Sequence, residues 1–137
     1  MGSSAERLAI MNALSSYAWG NDTRDLALLA DCFTEDAICS GYVEEQLCWG
    51  PIAGRDNIVR ELSARVPAEG IRRHHIGSIR FVKVEDGEAH VVSYMVVTHA
   101  QDGKATLETT GWYKDTLIGE GDSWRFKEKE WHIDCAV

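Results

Sequence analysis

Positive charge is scarce in this sequence: 14 Lys and Arg stand against 22 Asp and Glu, for a formal net charge of −8 and a pI near 5.0. Such a surface repels phosphate backbones and anionic lipid heads, which argues against nucleic-acid and membrane partners. Long hydrophobic runs are missing too. None approaches membrane-spanning length, and the first residues do not resemble a secretion signal. The four cysteines, Cys32, Cys39, Cys48 and Cys135, have no C-x-x-C spacing and form no zinc-ligand pattern with the histidines. They read as reduced, partly buried thiols of a cytoplasmic protein. Repeats, low-complexity tracts and linkers are also absent. The 137 residues, 45% hydrophobic and 26% charged, therefore form one domain (1–137) with a single core.

What is present divides into a helical first half and a β-rich second half. Ser3-x-x-Glu6 is a capping box, followed at helical spacing by Leu8, Met11, Leu14, Tyr17 and Ala18, which predicts a first helix to about Trp19. Gly20-Asn21-Asp22 breaks it. A shorter helix places Leu26, Leu29, Ala30 and Phe33 on one face. Two short strands follow, at 37–43 and 45–49. After Gly50-Pro51 a third helix covers about 55–65, with Ile58, Val59 and Leu62 inward. The segments 71–84, 88–99, 105–118 and 123–135 are long and β-rich. Asp86-Gly87, Asp102-Gly103 and a Gly-Glu-Gly-Asp run separate them, and Asp-Gly between extended runs marks a tight hairpin. Three hairpins make a four-stranded antiparallel meander, so the expected class is α+β with three N-terminal helices packed on one face of a strongly curved sheet. Such a sheet encloses a cone whose open end is a small-molecule pocket. Gly77 and Gly111 are candidates for the bends that curvature needs.

Three ionisable residues stand at informative places: Asp22 between the first two helices, His74 at the start of one long strand, and His99 at the end of the next. Each has a plainer reading. Asp22 is a favoured residue for capping the second helix. His74 and His75 are strand neighbours, so only one of them can face a pocket. His99 shares a face with Val97, Met95, Ser93 and Val91, but the opposite face is nearly as apolar. Strict alternation from His74 also turns Arg80 inward and Phe81 outward, unless a bulge near Gly77 reverses the phase. Trp19, Trp49 and Trp112 read either as the lining of an apolar cavity or as core and dimer-contact aromatics. The histidines lack the short pairing of metal ligands, so no metal is expected.

The layout resembles the SnoaL-like branch of the NTF2-like superfamily. The resemblance is carried by Tyr17-Ala18-Trp19-Gly20-Asn21-Asp22-Thr23-Arg24-Asp25-Leu26, by the segment from Asp31 to Ala37, by Arg73-His74-His75-Ile76-Gly77-Ser78, by Gly111-Trp112-Tyr113-Lys114-Asp115 and by Trp124-Arg125-Phe126. In its site pattern the chain is similar to the scytalone dehydratases. The resemblance implies that Asp22 and His74 form an acid–base pair with His99 completing the catalytic set. It also implies a substrate-binding role for Tyr42; Asn21 stands where the family has a second pocket tyrosine, and the family's serine/asparagine pair has no clear counterpart around Thr109. Asn21, Ser78, Thr109, Trp19 and Trp49 complete the candidate pocket residues.

A carboxylate orienting one imidazole is the minimum equipment for moving a proton on and off a small organic molecule. The expected function is thus a cofactor-independent, dehydratase-type lyase. It would remove a proton α to a carbonyl of a small cyclic or apolar substrate. The alternatives are a SnoaL-like polyketide cyclase, a ketosteroid-isomerase-like isomerase, or a non-catalytic small-molecule-binding domain. The apolar outer face of the meander, including Trp112 and Tyr94, suggests a homodimer or homotrimer.

Overall fold

Ser3 opens the first helix with the reciprocal cap its sequence foretells. Its hydroxyl accepts from the Glu6 amide, and the Glu6 carboxylate accepts from the Ser3 amide, both at 3.0 Å. The structure, a computed structural model, describes residues 2–120 and 122–136. Helix α1 (Ser4–Asp22) buries Ile10, Ala13, Leu14 and Tyr17, and continues past the expected break at Gly20. Gly20 stays helical because its bareness admits the next helix: a Cβ there would lie 2.9 Å from the Leu29 amide nitrogen. Helix α2 (Leu26–Asp31) is capped by Asp25, whose carboxylate accepts from the Leu28 amide at 3.1 Å. The capping reading of Asp22 is therefore corrected: Asp25 does that work, and Asp22 is the last helical residue of α1.

Strands β1 (Phe33–Val43) and β2 (Gln46–Ala53) form a hairpin, and β2 runs through Gly50-Pro51 rather than stopping there. Helix α3 (Arg55–Ala64) buries Ile58 and Leu62. The meander follows as β3 (Ile71–Glu85), β4 (Glu88–Gln101), β5 (Lys104–Glu120) and β6 (Ser123–Ile133). Both Asp-Gly turns form with positive φ at each residue, 51° and 74° at Asp86-Gly87 and 53° and 75° at Asp102-Gly103, the geometry of tight hairpins. One six-stranded sheet results, in the order β2-β1-β6-β5-β4-β3, antiparallel except for the parallel β1–β6 pair. It is curved and does not close.

The helices cover one face. Helix α1 packs on β3 and β6, and α3 on β1 and β2. On β4 the inner face is Ala89, Val91, Ser93, Met95 and Val97, all buried, which settles the phase that periodicity left open. On β3 the register shifts between Gly77 and Arg80, with Ser78 at φ 48°. Ile79 and Phe81 thereby turn back toward the core and Arg80 turns out. The bulge near Gly77 is real, and it lets one strand put both His74 and Phe81 inside. Among the described residues no helix is long and apolar enough to cross a membrane.

Candidate active site

The unclosed end of the sheet leaves a cavity of about 510 Å³. Val97 and Met95 of β4, Trp131 and Ile133 of β6, and Leu62 of α3 supply its apolar wall. Trp131 fits because Gly41 lies beneath it on the neighbouring strand: a Cβ there would fall 1.2 Å from the indole nitrogen. The polar groups on the wall include Asn21, His74, Arg65, Arg72, Glu108 and Thr109. Glu108 and Thr109 are consecutive yet share the cavity because β5 bulges there. Val97 pairs with Thr109 and Thr98 with Leu107, leaving Glu108 unmatched.

Asp22 and His74, 52 residues apart, meet at this wall. The His74 Nδ1–H donates to Asp22 Oδ1 at 2.6 Å, and the His74 backbone N–H donates to Oδ2 at 2.7 Å. Both side chains are almost enclosed, 8% and 7% exposed. An ionised carboxylate only accepts hydrogen bonds, so the ring carries its proton on Nδ1 and leaves the Nε2 lone pair free. One carboxylate thus fixes backbone, ring orientation and tautomer together. The Tyr17 ring stands edge-on to the imidazole, centroids 6.3 Å apart, and backs it from the core side.

Asn21 and Thr109 stand on the cavity wall, and Asn21 is buried with its Oδ1 lacking a hydrogen-bond partner. The other residues expected at the pocket lie elsewhere. His99 is on the inner face of β4, two residues beyond Val97, but at the rim. Its Nε2–H donates to the Glu69 carbonyl at 3.0 Å, tying down the segment between α3 and β3. It does not face His74 across the cavity. Tyr42 points to the opposite side of the sheet, where its ring stacks on His132 at 4.7 Å, and Val43 takes the cavity position. Trp112 stacks on the other side of the same imidazole at 4.2 Å. Trp19 is 62% exposed on α1. Ser78 is spent on the β3 bulge and points to solvent. Trp49 packs against Trp131, 4.8 Å between centroids, so it supports the wall from behind.

Sequence reasoning missed Arg72 and Arg65. Arg72 is two residues before His74 and shares its face. Its guanidinium donates to the Arg65 carbonyl at 3.2 Å, and its Nε is buried without an acceptor. The Arg65 guanidinium lies over Trp49 and Trp131, 5.4 and 5.1 Å from their centroids. Of the cysteines, Cys32 and Cys39 are buried, and burial pushes both thiols up to about 12. Cys48 and Cys135 are exposed on the cavity wall. Among the described residues no group of three or more His, Cys, Asp or Glu side chains is placed to hold a metal ion.

N-terminal helices on a six-stranded, curved and unclosed sheet make the cystatin-like, NTF2-like architecture, and here its cavity wall carries the Asp22–His74 pair. The model of the SnoaL-like domain family matches residues 2–130, so this chain belongs to that family, which includes cofactor-free cyclases, dehydratases and isomerases. Among solved structures the chain is similar to a putative scytalone dehydratase from Novosphingobium aromaticivorans. That match has 25% identity and a TM-score of 0.72, covering 96% of this chain and 89% of the other. A protein of unknown function from Mycobacterium tuberculosis matches at 28% identity and a TM-score of 0.76, covering 96% and 73%. A Nostoc punctiforme protein with a cystatin-like fold, 18% identical, superposes at a TM-score of 0.83 over 98% and 96% of the chains, a likeness of fold alone. Comparison with curated proteins found no match.

Proposed function

We propose that this protein is a cofactor-independent, dehydratase-type lyase acting on a small cyclic substrate with an acidic C–H next to a carbonyl. The observation that carries the reading is the two-point contact between Asp22 and His74 on the cavity wall. Neutral His74 takes the α-proton on Nε2, and the C–H electron pair moves into the enolate. Asp22 holds Nδ1–H throughout and stabilises the imidazolium that forms. The Thr109 hydroxyl and the side-chain NH2 of Asn21, two of the polar groups on the wall, donate to the developing enolate oxygen. The enolate then expels a β-hydroxyl, which leaves as water with the proton held on His74, so the histidine returns neutral and the product gains a C=C bond. The similarity to the putative scytalone dehydratase supports elimination over simple isomerisation.

The test is incubation with a panel of cyclic β-hydroxy ketones, followed by mass spectrometry in H₂O and D₂O. The expected result is loss of one water, with solvent deuterium entering any recovered substrate at the α-carbon. His74→Ala is expected to lower the rate about 10²–10⁴-fold, the usual weight of a general base. Unaltered turnover in that variant removes His74 from the mechanism, and mass conservation throughout points to cyclisation or isomerisation instead.

A further inference from the structure

The cavity of an acidic protein would be expected to be neutral or negative, yet two arginines stand on its wall. Among the described residues neither Arg65 nor Arg72 forms an ion pair with any carboxylate. Glu108 lines the same cavity without pairing with either. Arg72 is held in place by its bond to the Arg65 carbonyl, while its Nε is shielded from solvent with nothing to donate to. A shielded guanidinium N–H without an acceptor is costly, and the group that satisfies it best is a planar oxyanion taking two parallel hydrogen bonds.

We infer that the substrate carries a carboxylate, and that Arg72 is the specificity-determining residue that receives it, while the Arg65 guanidinium stays committed to the faces of Trp49 and Trp131. The inference rests on the lyase reading only in calling this ligand the substrate. Arg72 and His74 are same-face residues two apart on β3 and line one cavity, so a molecule whose carboxylate rests on Arg72 lies beside His74. The carboxylate anchors the molecule and does not itself supply the acidic carbon.

The test uses 2-naphthoate and its neutral isostere 2-naphthamide, titrated into the full chain by calorimetry in a buffer free of carboxylate and phosphate. Wild type is expected to bind naphthoate about tenfold or more tightly over naphthamide, the weight of a charge-assisted hydrogen bond. Arg72→Met, which keeps the aliphatic stem, is expected to bind the two probes equally, and Arg72→Lys to keep only a few-fold preference. The Nε–H resonance of Arg72 in the wild-type protein should shift with naphthoate and not with naphthamide, a readout that needs no variant to fold. Asp22→Asn should keep the full preference while losing turnover, which separates this inference from the catalytic one. Equal binding of both probes by wild type, or a preference surviving in Arg72→Met, overturns it.

Discussion

Lys129 and Asp115 face each other across β6 and β5 in the middle of the core, Nζ to Oδ1 3.1 Å, with side chains 1% and 0% exposed. The ammonium also lies 3.8 Å from the ring centroid of Tyr113, 4.2 Å from Tyr17 and 4.3 Å from Phe126. Desolvating two such charges costs several kcal/mol each, offset by their attraction and by the ring faces. Removing one partner leaves the other charge stranded. Lys129→Met alone is expected to lose about 3–5 kcal/mol of unfolding free energy, and Asp115→Leu with Lys129→Met to recover most of it. Urea denaturation of the three chains checks this, and a stable Lys129→Met single variant would contradict it.

The same pair gives the core a pH dependence of definite sign. Burial pushes the Asp115 carboxyl up to about 6, with Lys129 pulling the other way. In the unfolded chain it titrates near its ordinary value of about 3.9. Between those values the folded protein binds a proton that the unfolded chain has released. The stability Asp115 contributes is therefore present below about pH 4 and is lost as the pH rises through 6. Wild type should lose ground to the double variant from pH 4 to 6, with a constant gap above that. Parallel stability curves through this window would show that Asp115 titrates outside it.

Asp22→Asn probes the pairing at the cavity without emptying it. The amide oxygen can still accept from the His74 backbone N–H, but the amide nitrogen cannot accept from Nδ1–H. The imidazole then loses its fixed tautomer. Activity is expected to fall on the order of 10²–10⁴-fold, while stability falls by only about 1–2 kcal/mol. Because the two residues act as a unit, Asp22→Asn on top of His74→Ala should cost little more than His74→Ala alone. Additive losses in kcat/KM would separate the residues into independent roles.

The sequence made the architecture legible because its punctuation is local: a capping box, two Asp-Gly turns and clean helical spacing each fix their own segment. The end of α1 was hidden because Gly20 reads as a breaker, when its bareness serves contact with Leu29, a tertiary fact. The face of His99 was not readable, because both faces of β4 are nearly equally apolar, and its distance from the cavity was not either, since that depends on where the segment 65–70 folds back. Tyr42 was placed by resemblance against the strand's own alternation: β1 keeps an unbroken register with β6 from Ile38 to Val43, so Ala37, Cys39, Gly41 and Val43 face inward and Tyr42 outward. Arg72 did leave a signal. Once His74 is placed inward, strand alternation places Arg72 inward with it, and only the habit of reading arginine as surface charge conceals this.

His99→Ala separates a rim support from a catalytic acid. The bond from its Nε2–H to the Glu69 carbonyl is one of several holding the segment between α3 and β3. Arg24 donates to the Pro67 carbonyl there, and Gln101 to the Glu69 carboxylate. Loss of that one bond is expected to lower stability by about 1 kcal/mol and to leave kcat within roughly threefold of wild type. A proton donor would cost about 10²–10⁴-fold. A large drop in kcat with an unchanged melting temperature would bring His99 back into the chemistry.

The cysteines offer a direct view of the cavity in the native protein. Cys32 and Cys39 are enclosed, and thiols held up to about 12 carry almost no thiolate at neutral pH, so maleimides should not reach or react with them. Cys48 and Cys135 are exposed and line the same cavity wall as His74 and Arg72. Native labelling with N-ethylmaleimide should therefore stop at two adducts, with the other two thiols reacting only after denaturation. Because both adducts project into the ligand space, labelled protein should bind naphthoate at least about tenfold more weakly. The Cys48→Ser, Cys135→Ser double variant should take up no label while folded and keep its ligand. Four adducts on the native chain would mean that the core around Phe33 and Phe126 opens far more readily than its packing implies.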